Sequence, residues 1–196
     1  MLLCTVLTFA MCGDPSVESA FTLGDLTVPI VWSHATVNSC LDLGAQSPQD
    51  GAGLTRLETG WQSAQTRESS EGYSGHLVVR VLDARIELRS YAWDHMTPAG
   101  ADVLRRIFRA TLWHEIGHVR TLLASIDAIN AEPEFGAPTA AEYTALAKEH
   151  GNAAAERVNA DQNAYDRAAE HGLRQETLPP PLAGPDTVVN CPSGGR

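Results

Sequence analysis

The sequence predicts an α+β fold, with a small β-sheet packed against two long helices. Two observations support this prediction. Alternating segments with β-branched residues concentrate in residues 21–96, whereas apolar residues recur at helical spacing through residues 97–172. The chain of 196 residues is also long enough for one domain with a sizeable core.

Four segments of the first half have strand character: 26–33, 54–62 (weakly), 76–83 and 84–93. Pro29 favours an edge position for the first, because proline cannot donate to a sheet ladder. The last two follow each other directly and predict a hairpin. Polar stretches between the strands predict long loops, at 44–53 and 65–75.

The first long helix is predicted to begin at Thr97-Pro98, with threonine as N-cap and proline in the first turn. Apolar residues then recur at helical spacing as far as Ile129. The segment AEPEFGAP follows, so the helix should end near Asn130.

The second helix is predicted to begin after Thr139, which forms a capping box with Glu142. It runs towards Gly172, a plausible C-terminal cap, with a bend expected at Gly151. Residues 177–196 form a Pro/Gly-rich tail without helical or strand period. The predicted domain therefore spans residues 21–176.

Residues 1–20 predict an export leader, because residues 1–12 are almost entirely apolar and a loop-like stretch follows them. Cleavage after Ser19 would release the protein to the cell envelope or the medium. Cys12 could instead be a lipidated cysteine that anchors the chain to a membrane, and a first buried strand is the structural alternative. In an exported domain, Cys40 and Cys191 would most simply form a disulfide.

The net charge of -10 argues against nucleic acid and anionic membranes as partners. No basic run that could follow a phosphate backbone occurs in the sequence. We expect a soluble monomer that meets its substrate without such partners.

The chemistry is concentrated in the segment His114-Glu115-Ile116-Gly117-His118, an HExxH motif inside the first long helix. Histidines four residues apart lie on one helix face, so both imidazoles can reach a single zinc ion. Glu115 is offset by about 100° around the helix and can take a proton from a water that zinc activates. Two surface histidines on an ordinary helix are the structural alternative.

A catalytic zinc ion needs a third protein ligand from another segment. The metzincin extension is absent, since Thr121 and Ala124 stand at its glycine and histidine positions. Two straight antiparallel helices would bring residues near 150 beside the ion. The downstream candidates are Glu132, Glu134, Glu142, Glu149, His150, Glu156, Asp166, Glu170 and His171.

The chain resembles the bacterial predicted secreted zinc-dependent proteases, a family catalogued as a domain of unknown function. The resemblance spans roughly residues 54–176. It is carried by Trp93 after a strand pair, by the HExxH helix, and by the segment 165–172, YDRAAEHG, which is similar to a YDxxTxHG signature. Ala169 stands where the family has threonine, so a hydroxyl that could support the site is missing.

The resemblance implies that Tyr165, Asp166 and His171 belong to the site. It favours His171 as the third zinc ligand. Asp166 could be a ligand instead, or an acceptor that orients a metal-bound histidine. Tyr165 could donate to the oxyanion of the tetrahedral intermediate, or pack between the two helices.

Together these observations predict a zincin-like zinc peptidase that hydrolyses peptide bonds of a peptide or protein substrate. Strand 76–83 or its neighbour would form the edge that binds an extended substrate by β-augmentation. Two alternatives remain: a zinc-binding interaction domain without catalysis, and a metal-dependent hydrolase of non-peptide amides in the cell wall.

Overall fold

A computed structural model describes residues 19–38, 53–70, 72–92 and 96–186. The predicted leader up to residue 18, the predicted Cys40–Cys191 pair and Trp93 lie outside the described residues. Of the helices described, none combines the length and the apolar character that crossing a membrane requires.

The secondary structure confirms the α+β class, with a sheet and two long helices. The strands are β1 (Ala20–Leu23), β2 (Leu26–Thr36), β3 (Gly53–Ser69), β4 (Gly72–Ala92) and β5 (Phe135–Ala137). The helices are α1 (Pro98–Asn130) and α2 (Ala140–Ala169), followed by a 3₁₀ turn at Gln175–Thr177.

The described strands form a mixed sheet in the order β1-β2-β4-β3, and β5 also pairs with β4. β2 is antiparallel to β1 and parallel to β4. The expected edge position of β2 is therefore wrong. Proline is tolerated because Pro29 pairs only with Ala20 of β1, and the ladder to β4 begins one residue later, at Ile30.

The predicted hairpin at 76–93 is also wrong, because β4 runs without interruption from Gly72 to Ala92. The predicted loop at 65–75 is instead the end of β3 and the start of β4. Its polarity reflects exposure, since Arg67, Glu68 and Ser69 are exposed on the strand. A polar strand end and a polar loop look alike in sequence.

The chain divides into two compact units that share the long elements. The first comprises the described parts of Met1–Arg56, Ala84–His118 and Asp166–Arg196. Its core joins β2 and β4 to the start of α1, with Trp32 packed edge-to-face on Phe108 at 5.9 Å. The other members of this core are Val37, Tyr91, Val103, Leu104 and Ile107.

The second unit comprises Leu57–Asp83 and Val119–Tyr165. Its core is a separate apolar cluster, formed by Leu77, Val79, Leu122, Ile126, Ile129, Ala154 and Val158. Asn130 ends α1 in this unit: its side-chain amide accepts from the Val79 N–H at 2.7 Å and donates to the Val79 carbonyl at 3.0 Å. The helix end is thus tied to β4.

The N-termini of both helices are capped as predicted. The Thr97 hydroxyl accepts from the Gly100 N–H at 3.2 Å, and the Thr139 hydroxyl accepts from the Glu142 N–H at 3.2 Å. The connection between the helices is not a tight turn, because its residues 135–137 pair with Tyr73–Gly75 of β4 before α2 begins.

Gly151 lies inside α2 and makes room for an aromatic ring. A Cβ at this position would lie 2.1 Å from Cε2 of Trp61. The residue predicted to bend the helix therefore has a packing role in this unit.

We predict that Gly151→Ala lowers the free energy of unfolding by about 1–3 kcal/mol, because overpacking against the indole outweighs a gain of about 1 kcal/mol in helix propensity. In a Trp61→Ala background the same change should stabilise the protein. The exposed neighbour Asn152→Ala serves as the control. Denaturant unfolding measures all four variants, and a stabilising Gly151→Ala in the wild-type background would contradict the packing argument.

Candidate metal centre

Helix α1 presents His114 and His118 on one face. Their ring centroids lie 4.9 Å apart, and their exposed side-chain fractions are 8% and 14%. Both residues are held in place because the helix buries Leu112 and Ile116 on its core side, each only 1% exposed. The two imidazoles therefore sit next to each other on a rigid element.

The C-terminal end of α2 supplies the third group. Oδ1 of Asp166 lies 3.3 Å from Nε2 of His114 and 3.1 Å from Nε2 of His118. The three ligand atoms lie within 4.8 Å of one another, so one cation could contact all of them. The structure thus brings together the two motif histidines and the aspartate of the downstream segment.

Asp166 is ionised at neutral pH. Burial alone would raise the pKa of its carboxyl, but hydrogen bonds and charge interactions with His114 and His118 hold that pKa well below its usual range. A carboxylate in this position offers lone pairs to a cation and accepts hydrogen bonds without itself needing a proton.

Gln175 fixes the proton position on His114. Its side chain is fully buried, and its Nε2 donates to the Leu182 carbonyl at 2.5 Å. The carbonyl end of the amide therefore faces His114, with Oε1 3.1 Å from Nδ1. Because this oxygen only accepts, Nδ1 must carry a proton, and Nε2 of the neutral ring is left with a lone pair.

That lone pair faces Asp166, which also offers only lone pairs. Two acceptors at 3.3 Å repel each other unless something positive lies between them. Either Nε2 carries a second proton and the ring becomes cationic, or a metal cation takes that place. The arrangement is the one expected of a histidine ligand whose other nitrogen is held by an outer hydrogen-bond partner.

The segment after the 3₁₀ turn packs on the same part of α1. Nε1 of Trp113 donates to the Leu182 carbonyl at 3.3 Å, so this oxygen accepts from both Trp113 and Gln175. Gly184 lies against the indole, where a Cβ would be 1.9 Å from Cδ1 of Trp113. Residues of the predicted irregular tail therefore help to hold the histidine helix.

Glu115 is buried on the side of α1 that meets the start of β3, and it is only 5% exposed. The Thr55 hydroxyl donates to its Oε2 at 2.6 Å. A Cβ at Gly53 would lie 2.7 Å from its Oε1. The backbone of β3 thus lies directly against the carboxylate.

The residues predicted from the resemblance lie in different surroundings. His171 is 65% exposed, and its Nδ1 lies 3.6 Å from Oδ1 of Asp166, beside the cluster of three ligand atoms. Its assignment as third ligand stays a prediction, and Asp166 holds the position within the cluster. Tyr165 is 4% exposed in the second unit, where it interacts with Arg120. This burial is what the core-packing alternative expects, and its role as a donor is untested.

The geometric expectation for residues near 150 fails. His150 stacks on Phe135, with ring centroids 4.4 Å apart. The estimate assumed that α2 turns back directly after α1, but β5 lies between them and displaces the start of α2. The residue of α2 that lies beside the motif histidines is Asp166, near the end of the helix.

Sequence reasoning missed Gln175, Thr55 and Gly53. Gln175 stands in a stretch without helical or strand period, and a lone glutamine there carries no signal. The other two lie at the start of β3, 60 and 62 residues before Glu115, and nothing in their neighbours marks a contact with the motif.

We predict that Gln175→Leu destabilises the protein by about 1–3 kcal/mol, because it removes the acceptor from a buried histidine N–H. Glu176→Leu, an exposed change in the same 3₁₀ turn, should stay within about 0.5 kcal/mol of the wild type. Denaturant unfolding measures both. Equal stability of the two variants would mean that the amide does not hold His114.

Comparison with known proteins gives a family but no function. The model of the family DUF922, described as a bacterial protein of unknown function, matches residues 35–172, which include the motif histidines and Asp166. No curated protein and no solved structure shows a significant match. The match covers most of the chain, and the protein therefore belongs to the DUF922 family of bacterial proteins of unknown function.

Proposed function

We propose that this protein is a zinc-dependent peptidase in which His114, His118 and Asp166 hold the ion and Glu115 is the general base. The observation that carries the proposal is the meeting of two imidazole nitrogens at one carboxylate oxygen, with the outer nitrogen of His114 held by a buried amide. A simple structural ion pair would bring one imidazole to the carboxylate, whereas here two meet at a single oxygen.

The donor set fits zinc. Catalytic zinc sites use three nitrogen, oxygen or sulfur ligands from the protein and leave a position open. Two histidines and a carboxylate supply such a set, and His171 lies close enough to Asp166 to act as an exposed additional ligand. The same donors also suit ferrous iron, so the metal must be identified by measurement.

A zinc ion held there would supply Lewis acidity, which makes water acidic enough to lose a proton near neutral pH. Glu115 is the carboxylate on the same helix turn, and it would accept that proton and deliver it to the leaving amine. Asp166 and Gln175 would keep the imidazoles oriented.

The fold is compatible with a zincin-like peptidase, since a mixed sheet accompanies the helix that carries HExxH. Residues 76–83 lie within β4, which has neighbours in the sheet, whereas its neighbour β3 stands at the end of the described strand order. The first residues of β3 lie against Glu115. An extended peptide that added to this strand would pass beside the general base.

We predict that the purified full-length protein carries about one zinc ion per chain, measured by inductively coupled plasma mass spectrometry. His114→Ala and His118→Ala should empty the site, because two protein ligands no longer retain the ion. His150→Ala, which removes a histidine stacked elsewhere on Phe135, is the matched control. Full zinc occupancy in both motif variants would rule out the proposed centre.

The same measurement identifies the third ligand. Asp166→Ala should lose the metal, whereas His171→Ala should keep most of it, because only Asp166 lies within the cluster of ligand atoms. The reverse result would assign the third position to His171, as the family resemblance implies, without affecting the motif histidines.

We predict that Glu115→Gln retains zinc and fold but loses peptidase turnover by about 100-fold or more, because an amide cannot accept the proton. Glu149→Gln, an exposed change on α2, is the control. Casein and peptidoglycan are assayed side by side. Cleavage of peptidoglycan alone would support the cell-wall hydrolase, and no cleavage of either by the zinc-loaded wild type would support the silent interaction domain.

A further inference from the structure

We infer that Thr55 is a positioning residue for Glu115, an inference that rests on the proposed function. Thr55 lies on β3, and its hydroxyl is 2.6 Å from Oε2 of Glu115 and 3.1 Å from the Glu115 backbone carbonyl. A hydroxyl has one proton, and the shorter contact to a carboxylate oxygen receives it.

The other carboxylate oxygen is confined by the backbone of the same strand. A Cβ at Gly53 would lie 2.7 Å from Oε1 and 2.9 Å from Cγ of Glu115, and 2.6 Å from Cγ2 of Thr111. No larger residue fits at this position without moving the glutamate. One oxygen is therefore held by a hydrogen bond and the other by close packing.

A general base must be held within hydrogen-bond reach of the proton that it takes. Glutamate has three side-chain torsions, so a carboxylate on a helix can occupy several places unless its surroundings select one. Thr55 and Gly53 select one, and they do so from the strand on which an extended substrate would lie. Positioning of the base and recognition of the substrate thus share the first residues of β3.

A purely structural role is the competing explanation, in which the hydroxyl only ties β3 to α1. The two roles differ in what the isosteric Thr55→Val and the conservative Thr55→Ser change. Loss of the hydrogen bond lowers stability under either role, whereas only positioning of the base lowers turnover at unchanged substrate affinity.

The test uses a peptide that the wild type cleaves. It measures kcat and KM for this peptide, and the zinc content, of the wild type and of both variants. Thr55→Val should lower kcat by about 10–100-fold with KM and zinc content unchanged, because the base is misplaced. Thr55→Ser, which keeps the donor, should stay within about threefold of the wild type. Undiminished kcat in Thr55→Val would overturn the inference and leave the proposed function standing, whereas a wild type that cleaves no peptide would overturn the proposed function itself.

A second measurement does not depend on turnover. Melting temperatures of the wild type, Thr55→Val, Glu115→Ala and the double variant form a cycle. Thr55→Val should lower the melting temperature by about 3–10 °C in the wild-type background and by less than half of that without the carboxylate. Equal shifts in both backgrounds would show that the hydroxyl does not act on Glu115, and would overturn the inference.

Two glycine substitutions in β3 test the close packing of Gly53 against Glu115. Gly53→Ala should reduce kcat as strongly as Thr55→Val, since the added methyl group displaces the carboxylate. Gly60→Ala is the matched control, because the three atoms nearest to its Cβ would all belong to the side chain of Leu82, which is exposed and can move. Full kcat in a folded Gly53→Ala variant would overturn the role given to the close packing.

Discussion

The candidate site depends on one buried amide, that of Gln175. Its oxygen faces Nδ1 of His114, and its nitrogen donates to the Leu182 carbonyl. Because the nitrogen end is committed to a carbonyl, the amide cannot flip, and the tautomer of His114 follows from it. The same carbonyl accepts from Trp113, so the tail segment, the 3₁₀ turn and the histidine helix are tied at one point. Without these hydrogen bonds, nothing would select the tautomer of His114 in which the lone pair of Nε2 faces Asp166.

Asp166 lies in the last turn of α2, beside the two histidines, and the helix stops abruptly just after it. Glu170, His171 and Gly172 have φ angles of 47°, 54° and 91°, so three successive residues leave the helical region. For a residue with a side chain this conformation costs on the order of 1 kcal/mol or more. Hydrogen bonds from the His171 N–H to the Asp166 carbonyl and from the Arg174 N–H to the Ala169 carbonyl offset that cost. The turn directs the chain back to place Gln175 beside His114.

Local chemistry made the helices and the motif predictable. Thr97 and Thr139 cap helices whose apolar residues recur with helical period, and the two motif histidines share a face by helix geometry alone. The sheet was harder to predict: polar residues at 67–69 are strand residues with exposed sides, and Pro29 is tolerated because one ladder starts just after it. Thr55 and Gln175 could not be predicted, because their roles come from contacts with residues about 60 positions away.

The cluster of His114, His118 and Asp166 can be satisfied in two ways, and they exclude each other. In one, protons on the two Nε2 atoms donate to Asp166, which is the interaction that keeps its pKa low. In the other, a divalent cation replaces those protons and contacts the same three atoms. Gln175 leaves the choice open, because it holds only the outer nitrogen of His114 in both states. The two imidazoles are ordered around Asp166 in this arrangement, so a cation that bound here would replace the protons on the two Nε2 atoms without requiring the site to be assembled.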